Sequence, residues 1–198
     1  ISGNLAGNYT VTVTPRNVSL PAVCNGTPVT GVVSAKPNPV VTVTNNAPSI
    51  CSGSNASIVL SSDVIGTTFN WTRTNTGNVN GSTGGTGSPI NIALTNLTNT
   101  PQTVSFDITS SAGGCPGALV STSVVVKPTP SFTLTNFTGT LCSGGTSNIA
   151  LTPNVAGTTF DWSVASNNGV TPTNPSATGI TGPIAIVLSN LTSTTKTI

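Results

Sequence analysis

The chain contains no histidine and no methionine, and three acidic residues in all. They are Asp63, Asp107 and Asp161, and there is no glutamate. Acid–base catalysis needs two titratable groups held together, and a serine or cysteine nucleophile needs a base. Neither requirement is met convincingly, so no catalytic residue is assigned and the protein is not expected to be an enzyme. Three scattered aspartates do not make a calcium site. Cysteine without histidine or a CxxC pair does not make a zinc site. No metal and no cofactor is therefore expected.

Charge is equally scarce. Charged residues are 4% of the chain, against about 25% in an ordinary soluble domain. Arg16, Lys36, Arg73, Lys127 and Lys196 are spread one per long stretch. No basic patch exists to neutralise phosphates, so nucleic acid is excluded as an expected partner. No apolar run approaches the roughly 18–20 residues that span a bilayer. The first residue is Ile1 and no secretory leader is visible, which suggests a mature or excised segment of a longer protein.

What the chain has is recurrence. Residues 51–72 read CSGSNASIVLSSDVIGTTFNWT and residues 142–163 read CSGGTSNIALTPNVAGTTFDWS. Cys142 follows Cys51, Trp162 follows Trp71 and Cys115 follows Cys24 by the same interval (142 − 51, 162 − 71 and 115 − 24 are each 91). A fixed interval of this size marks one folded module used repeatedly. Apolar residues alternate by two throughout, and Thr, Ser, Asn and Gly carry the polar share, which suits strands and turns. The expectation is an all-β chain of tandem immunoglobulin-like sandwich repeats with a period of about 91 residues.

Three segments follow. Residues 1–37 read as the C-terminal part of one repeat, with strands at Tyr9–Thr14 and Val29–Lys36 around a turn at Cys24–Pro28. Residues 38–128 are the complete repeat, about seven strands between the joints Lys36-Pro-Asn-Pro39 and Lys127-Pro-Thr-Pro130. In it Phe69 and Trp71 share one face, as do Val104, Phe106 and Ile108, while Asn78–Ser88 reads as a long loop or weak edge. Residues 129–198 open a further repeat. There Ile184, Ile186 and Leu188 match Ile90, Ile92 and Leu94 at an interval of 94. The incomplete ends imply either a segment of a longer array or completion by strands from a neighbouring subunit.

Phe69, Trp71, Phe160 and Trp162 are read as core anchors rather than a sugar-stacking platform, because each phenylalanine lies two residues before its tryptophan. Cys24, Cys51, Cys115 and Cys142 are disulfide candidates, which implies an oxidising, extracellular location. Four cysteines allow three pairings. Cys51 falls in the first turn and Cys115 in the last, at opposite ends of an immunoglobulin-like order. Bonds to neighbouring modules and a modified topology joining Cys51 to Cys115 stand as equal alternatives, ahead of Cys24–Cys51 and Cys115–Cys142. Asn-x-Ser/Thr occurs at Asn8, Asn17, Asn25, Asn55, Asn70, Asn80, Asn96, Asn136 and Asn190, a set attributed to composition.

The combined pattern CSG, I-x-L, GTTFxW, I-x-L-x-N-L, GCPG and VVVKPTP resembles the PKD-like, immunoglobulin-like repeats of large Bacteroidota surface proteins. LAGNYTVTVT is similar to the penultimate strand of such modules. The resemblance implies a structural segment of an extracellular cell-surface adhesin or filament, a load-bearing spacer. Its partners would be neighbouring repeats or identical subunits, with surface glycans or other cells beyond them. A carbohydrate-binding accessory module and a subunit assembling by donated strands are the alternatives.

Overall fold

The computed structural model describes residues 7–17, 24–74, 77–135, 139–165 and 168–196. Every regular element among them is a β-strand. Two compact units are present, residues 1–95 with 103–126, and residues 96–102 with 127–198.

In the first unit, residues 38–126 build two main sheets. One has the strand order Gly84–Thr86, Thr68–Arg73, Gln102–Ala112, Val120–Lys127, Ser49–Cys51. The other has the order Ile90–Ala93, Asn55–Ser62, Val41–Asn45. Alternation decides which side chains meet. In Gln102–Ala112, Val104, Phe106 and Ile108 are fully buried, while Ser105, Asp107 and Thr109 face away. From the opposite sheet come Ile58, Leu60 and Ile90, and all belong to one apolar cluster with Trp71, Val124 and Val126. The result is a β-sandwich, stabilised by roughly 1.5–3 kcal/mol for each large side chain it buries.

Turn chemistry closes it. Ala112 pairs with Cys115 across Gly113 and Gly114, both at positive φ (55° and 87°). That is the two-residue hairpin loop glycine favours. The Asn78–Ser88 stretch is more ordered than a loop: Val79–Asn80 and Gly84–Thr86 are short strands, and Val79 is fully buried.

The same unit contains a separate two-stranded ladder. Gly7–Val13 runs antiparallel to Val29–Ala35, with Tyr9 opposite Val33, Val11 opposite Gly31 and Val13 opposite Val29. The expected turn at Cys24–Pro28 starts instead as a short pairing of Cys24–Asn25 with Arg16–Asn17. Gly26 N–H donating to the Pro15 carbonyl continues it.

In the second unit, Phe132–Thr135 pairs with Ala150–Pro153, and Phe160–Ser163 pairs with Ser176–Ile180. Val187–Asn190 lies between Gly145–Thr146 and Val170–Pro172. Phe132 meets Phe160 edge to face at 5.2 Å. Among the described residues of this unit, Phe160, Val170 and Ile186 are the buried apolar ones.

Candidate functional site

Trp71 sits mid-sheet, opposite Gly85 on one side and Ile108 on the other. It is 7% exposed and meets Phe106 edge to face at 6.0 Å. A ring so enclosed offers no open face to a sugar. The indole lies against Gly85, where an added Cβ would stand 2.6 Å from Trp71 Cζ2. Phe69 is half-buried beside an open depression of about 520 Å³, lined also by Thr67, Thr68, Asn70, Thr86, Gly87 and Ser88. Phe160 is buried and Trp162 is half-buried.

Arg73 is the one buried cation of the sandwich, at 6% exposure. Its Nε donates to the Ser82 carbonyl at 2.6 Å, and its Nη2 donates to the Val79 and Gly81 carbonyls at 2.8 and 2.9 Å. The planar guanidinium thus gathers the carbonyls of the glycine-rich loop, which a single ammonium could not do. Desolvation by burial pushes its pKa down from the ordinary value. Sequence reading took Arg73 as one of five scattered basic residues and gave it no role. The signal that finds it is parity: it is two residues beyond Trp71 and so on the core side.

The three carboxylates serve separate local structures. Asp63 accepts from Val40 N–H at 2.8 Å, Asp107 from the Ser121 hydroxyl at 2.6 Å, and Asp161 from Gly179 N–H at 2.8 Å. Among the described residues no group of three or more His, Cys, Asp or Glu side chains converges to hold a metal.

Cys51, Cys115 and Cys142 are free thiols, Cys51 and Cys142 exposed and Cys115 half-buried. The side chain of Cys24 lies outside the described residues. Cys115 adjoins the end where the chain enters the sandwich: Lys36 Nζ donates to the Gly113 carbonyl at 3.0 Å, and Gly117 packs on Pro39. Cys51 lies at the other end, where Gly53 N–H donates to the Leu94 carbonyl. The Asn55–Ser62 strand runs between these ends, and eight residues at about 3.3 Å each span more than 20 Å. A disulfide needs Cα atoms within about 7 Å, so Cys51 and Cys115 do not bond within one sandwich of this topology.

Two of the Asn-x-Thr matches prove to be structural corners. Asn96 Oδ1 accepts from Thr98 N–H and hydroxyl at 2.8 and 2.9 Å, and its Nδ2 donates to the Thr100 carbonyl at 2.8 Å. Asn190 makes the same set with Thr192 and Thr194, at 3.0, 2.7 and 2.9 Å. In both, the amide nitrogen that a glycan would occupy is already engaged. Asn136 lies outside the described residues.

A two-sheet sandwich with a tryptophan at its centre is an immunoglobulin-like architecture. The PKD-like domain family matches residues 48–130, which spans most of this sandwich. No curated protein matches the chain.

Proposed function

We propose that the chain is a load-bearing segment of an extracellular cell-surface adhesin or filament, without catalytic activity. The observation that carries this reading is where the segment after the first strand, residues 45–51, lies against the last strand, Val120–Lys127. Asn45 Nδ2 donates to the Ser123 carbonyl and Val125 N–H donates to the Pro48 carbonyl, both within 2.9 Å. Residue numbers rise together along both strands, so Ser49–Cys51 and Val120–Lys127 run the same way. Tension between chain entry and exit then loads these bonds together in shear, instead of opening them one at a time. The PKD-like match fits an extracellular module of this kind.

Disulfides belong to the same proposal. Cys51 at the exit end would meet the last-turn cysteine of a following module, and Cys115 the first-turn cysteine of a preceding one. Each bond removes two protons and two electrons, taken up by the thiol oxidants of an oxidising compartment. Single-molecule pulling tests the reading. Unfolding should occur in one cooperative event at a force that Asn45→Ala lowers. Gradual unzipping at low force, insensitive to that substitution, would overturn it. Labelling of intact source cells with an antibody to the chain tests surface exposure.

A further inference from the structure

Asparagine followed by glycine is a chemically labile pair, because glycine has no Cβ to keep its nitrogen away from the asparagine side chain. Asn-Gly occurs at Asn25, Asn80 and Asn168, and only Asn80 lies within residues 38–126. Its glycine is fixed by packing. Gly81 has φ 141°, and an added Cβ would stand 2.6 Å from the Ala93 carbonyl oxygen and 3.0 Å from Leu94 Cδ2. The sandwich therefore keeps a labile pair where a bulkier second residue does not fit.

The Asn80 side chain is exposed, while Val79 beside it is fully buried. The main chain here is held twice over. Val79–Asn80 is paired with Thr95–Asn96. Arg73 Nη2 donates to the Val79 carbonyl at 2.8 Å and to the Gly81 carbonyl at 2.9 Å. One guanidinium nitrogen thus holds the carbonyls before and after the Asn80–Gly81 peptide bond. Nε of the same fork holds the Ser82 carbonyl, one residue further on.

This arrangement governs a reaction. Deamidation requires the Gly81 main-chain nitrogen to reach Asn80 Cγ. An extended strand keeps the two apart, so the Asn80 ψ must leave the extended range. That rotation turns the Gly81 peptide and pulls its carbonyl off Arg73.

We propose that Asn80 is a deamidation site which the Arg73 guanidinium keeps closed, and which opens when the loop of residues 79–84 leaves the fork while the core stays folded. The Gly81 nitrogen loses its proton to water and bonds to Asn80 Cγ. The Cγ–Nδ2 bond breaks, and Nδ2 takes up a proton from water and leaves as ammonia. A second water opens the resulting cyclic imide at either carbonyl, giving aspartate or isoaspartate. Nothing is oxidised or reduced. Both products add a negative charge. Isoaspartate also inserts a methylene into the main chain between the Val79 and Gly81 carbonyls, so one Nη2 no longer spans them. A loop that has reacted is not held as before. The inference does not depend on the filament reading.

The test is peptide mapping by mass spectrometry of the full 198-residue chain, aged in mildly alkaline buffer. Reaction through local opening tracks the open fraction. Asn80 should therefore deamidate at least about tenfold more slowly in the native chain than in urea-unfolded chain. Arg73→Met should raise the native rate at least about tenfold. Arg73→Lys, which keeps the charge and loses the fork, should also raise it. Asn168 follows Val164 where Asn80 follows Arg73, so its rate should not respond and it reports general unfolding. Should Arg73→Met unfold altogether, the wild-type chain in sub-denaturing urea decides. There the Asn80 rate should climb before the core amides of residues 104–108 exchange. Equal Asn80 rates in native and unfolded chains overturn the proposal. So does a folded Arg73→Met chain with an unchanged Asn80 rate, or one in which Asn168 accelerates as much. An Asn80 rate that rises in urea only together with core exchange overturns it as well.

Discussion

Residues 38–128 and residues 129–196 share their early strands and differ in how far those strands are covered. The Val41–Asn45 ladder and the Phe132–Thr135 ladder have equivalent partners, and Ile58 opposite Ile90 recurs as Ile149 opposite Ile184. Yet Trp71 is buried whereas Trp162 is half-buried. Trp71 has Ile108 opposite it and Phe106 against its ring, both from the Gln102–Ala112 strand. Register is thus set by strands close in sequence, each fixed by its own turn and alternation. Dry burial of the central tryptophan comes from a strand more than thirty residues further on.

The largest test of that contrast is Phe106→Ala. Phe106 is 0% exposed at the centre of the cluster, so its loss should cost about 3–5 kcal/mol. Urea unfolding followed by tryptophan emission would measure it. Phe160→Ala should cost clearly less, because Phe160 packs against Phe132, itself 54% exposed. Equal losses would mean that Phe160 is packed as tightly as Phe106.

Arg73 separates the regions next. Its counterpart is Val164 (164 − 73 is again 91), which cannot donate. Arg73→Met would strip the Val79, Gly81 and Ser82 carbonyls of a shared donor, with an expected loss of about 2–4 kcal/mol. Backbone amide exchange across residues 79–84 should quicken. Val164→Arg should confer no protection on the loop that follows it. If Arg73→Met leaves exchange unchanged, the guanidinium does not organise the loop. Gly85→Ala should follow at about 1–3 kcal/mol, because the new methyl meets the Trp71 ring.

Alternation made the core of the complete sandwich legible in the sequence. Every second residue from Val104 to Ile108 is buried, and Trp71 is interior. Arg73 obeyed the same parity, but a cation at an inward position reads as a surface charge unless its acceptors are known. Those acceptors are main-chain carbonyls of a glycine-rich loop, which carry no side-chain signature. Cys51 and Cys115 were legible as residues beside turns; their placement at opposite ends follows from topology. The Asn96 and Asn190 corners left a visible mark, Asn-Leu-Thr-x-Thr in both places. It was obscured because the same three residues spell a glycosylation match.

Those corners supply a smaller comparison. Asn96 is buried and Asn190 half-buried, with the same three hydrogen bonds. Asn96→Ala should cost about 1–2 kcal/mol, and Asn190→Ala about half as much, since water reaches its partners. Thermal unfolding of the two variants would rank them. A reversed order would mean that the corner's exposure does not set its contribution.

The smallest expected effect has the opposite sign. Ser110 is 4% exposed, and its Oγ has no hydrogen-bond partner. It is wedged where Gly117 closes on Pro39, and Gly117 N–H donates to the Ser110 carbonyl, leaving the hydroxyl unused. In the Gly7–Ala35 hairpin the corresponding residue is Pro15, which carries no hydroxyl. A buried hydroxyl without a partner pays its desolvation with no return. Ser110→Ala removes that penalty at the cost of one small void and keeps the main-chain bond, so it should stabilise the chain by up to about 1 kcal/mol. Differential scanning calorimetry would register it as a modest rise in melting temperature. A fall would mean that the hydroxyl's packing against Gly117 outweighs its missing bond, and that this corner of the sandwich is held by fit rather than by hydrogen bonding.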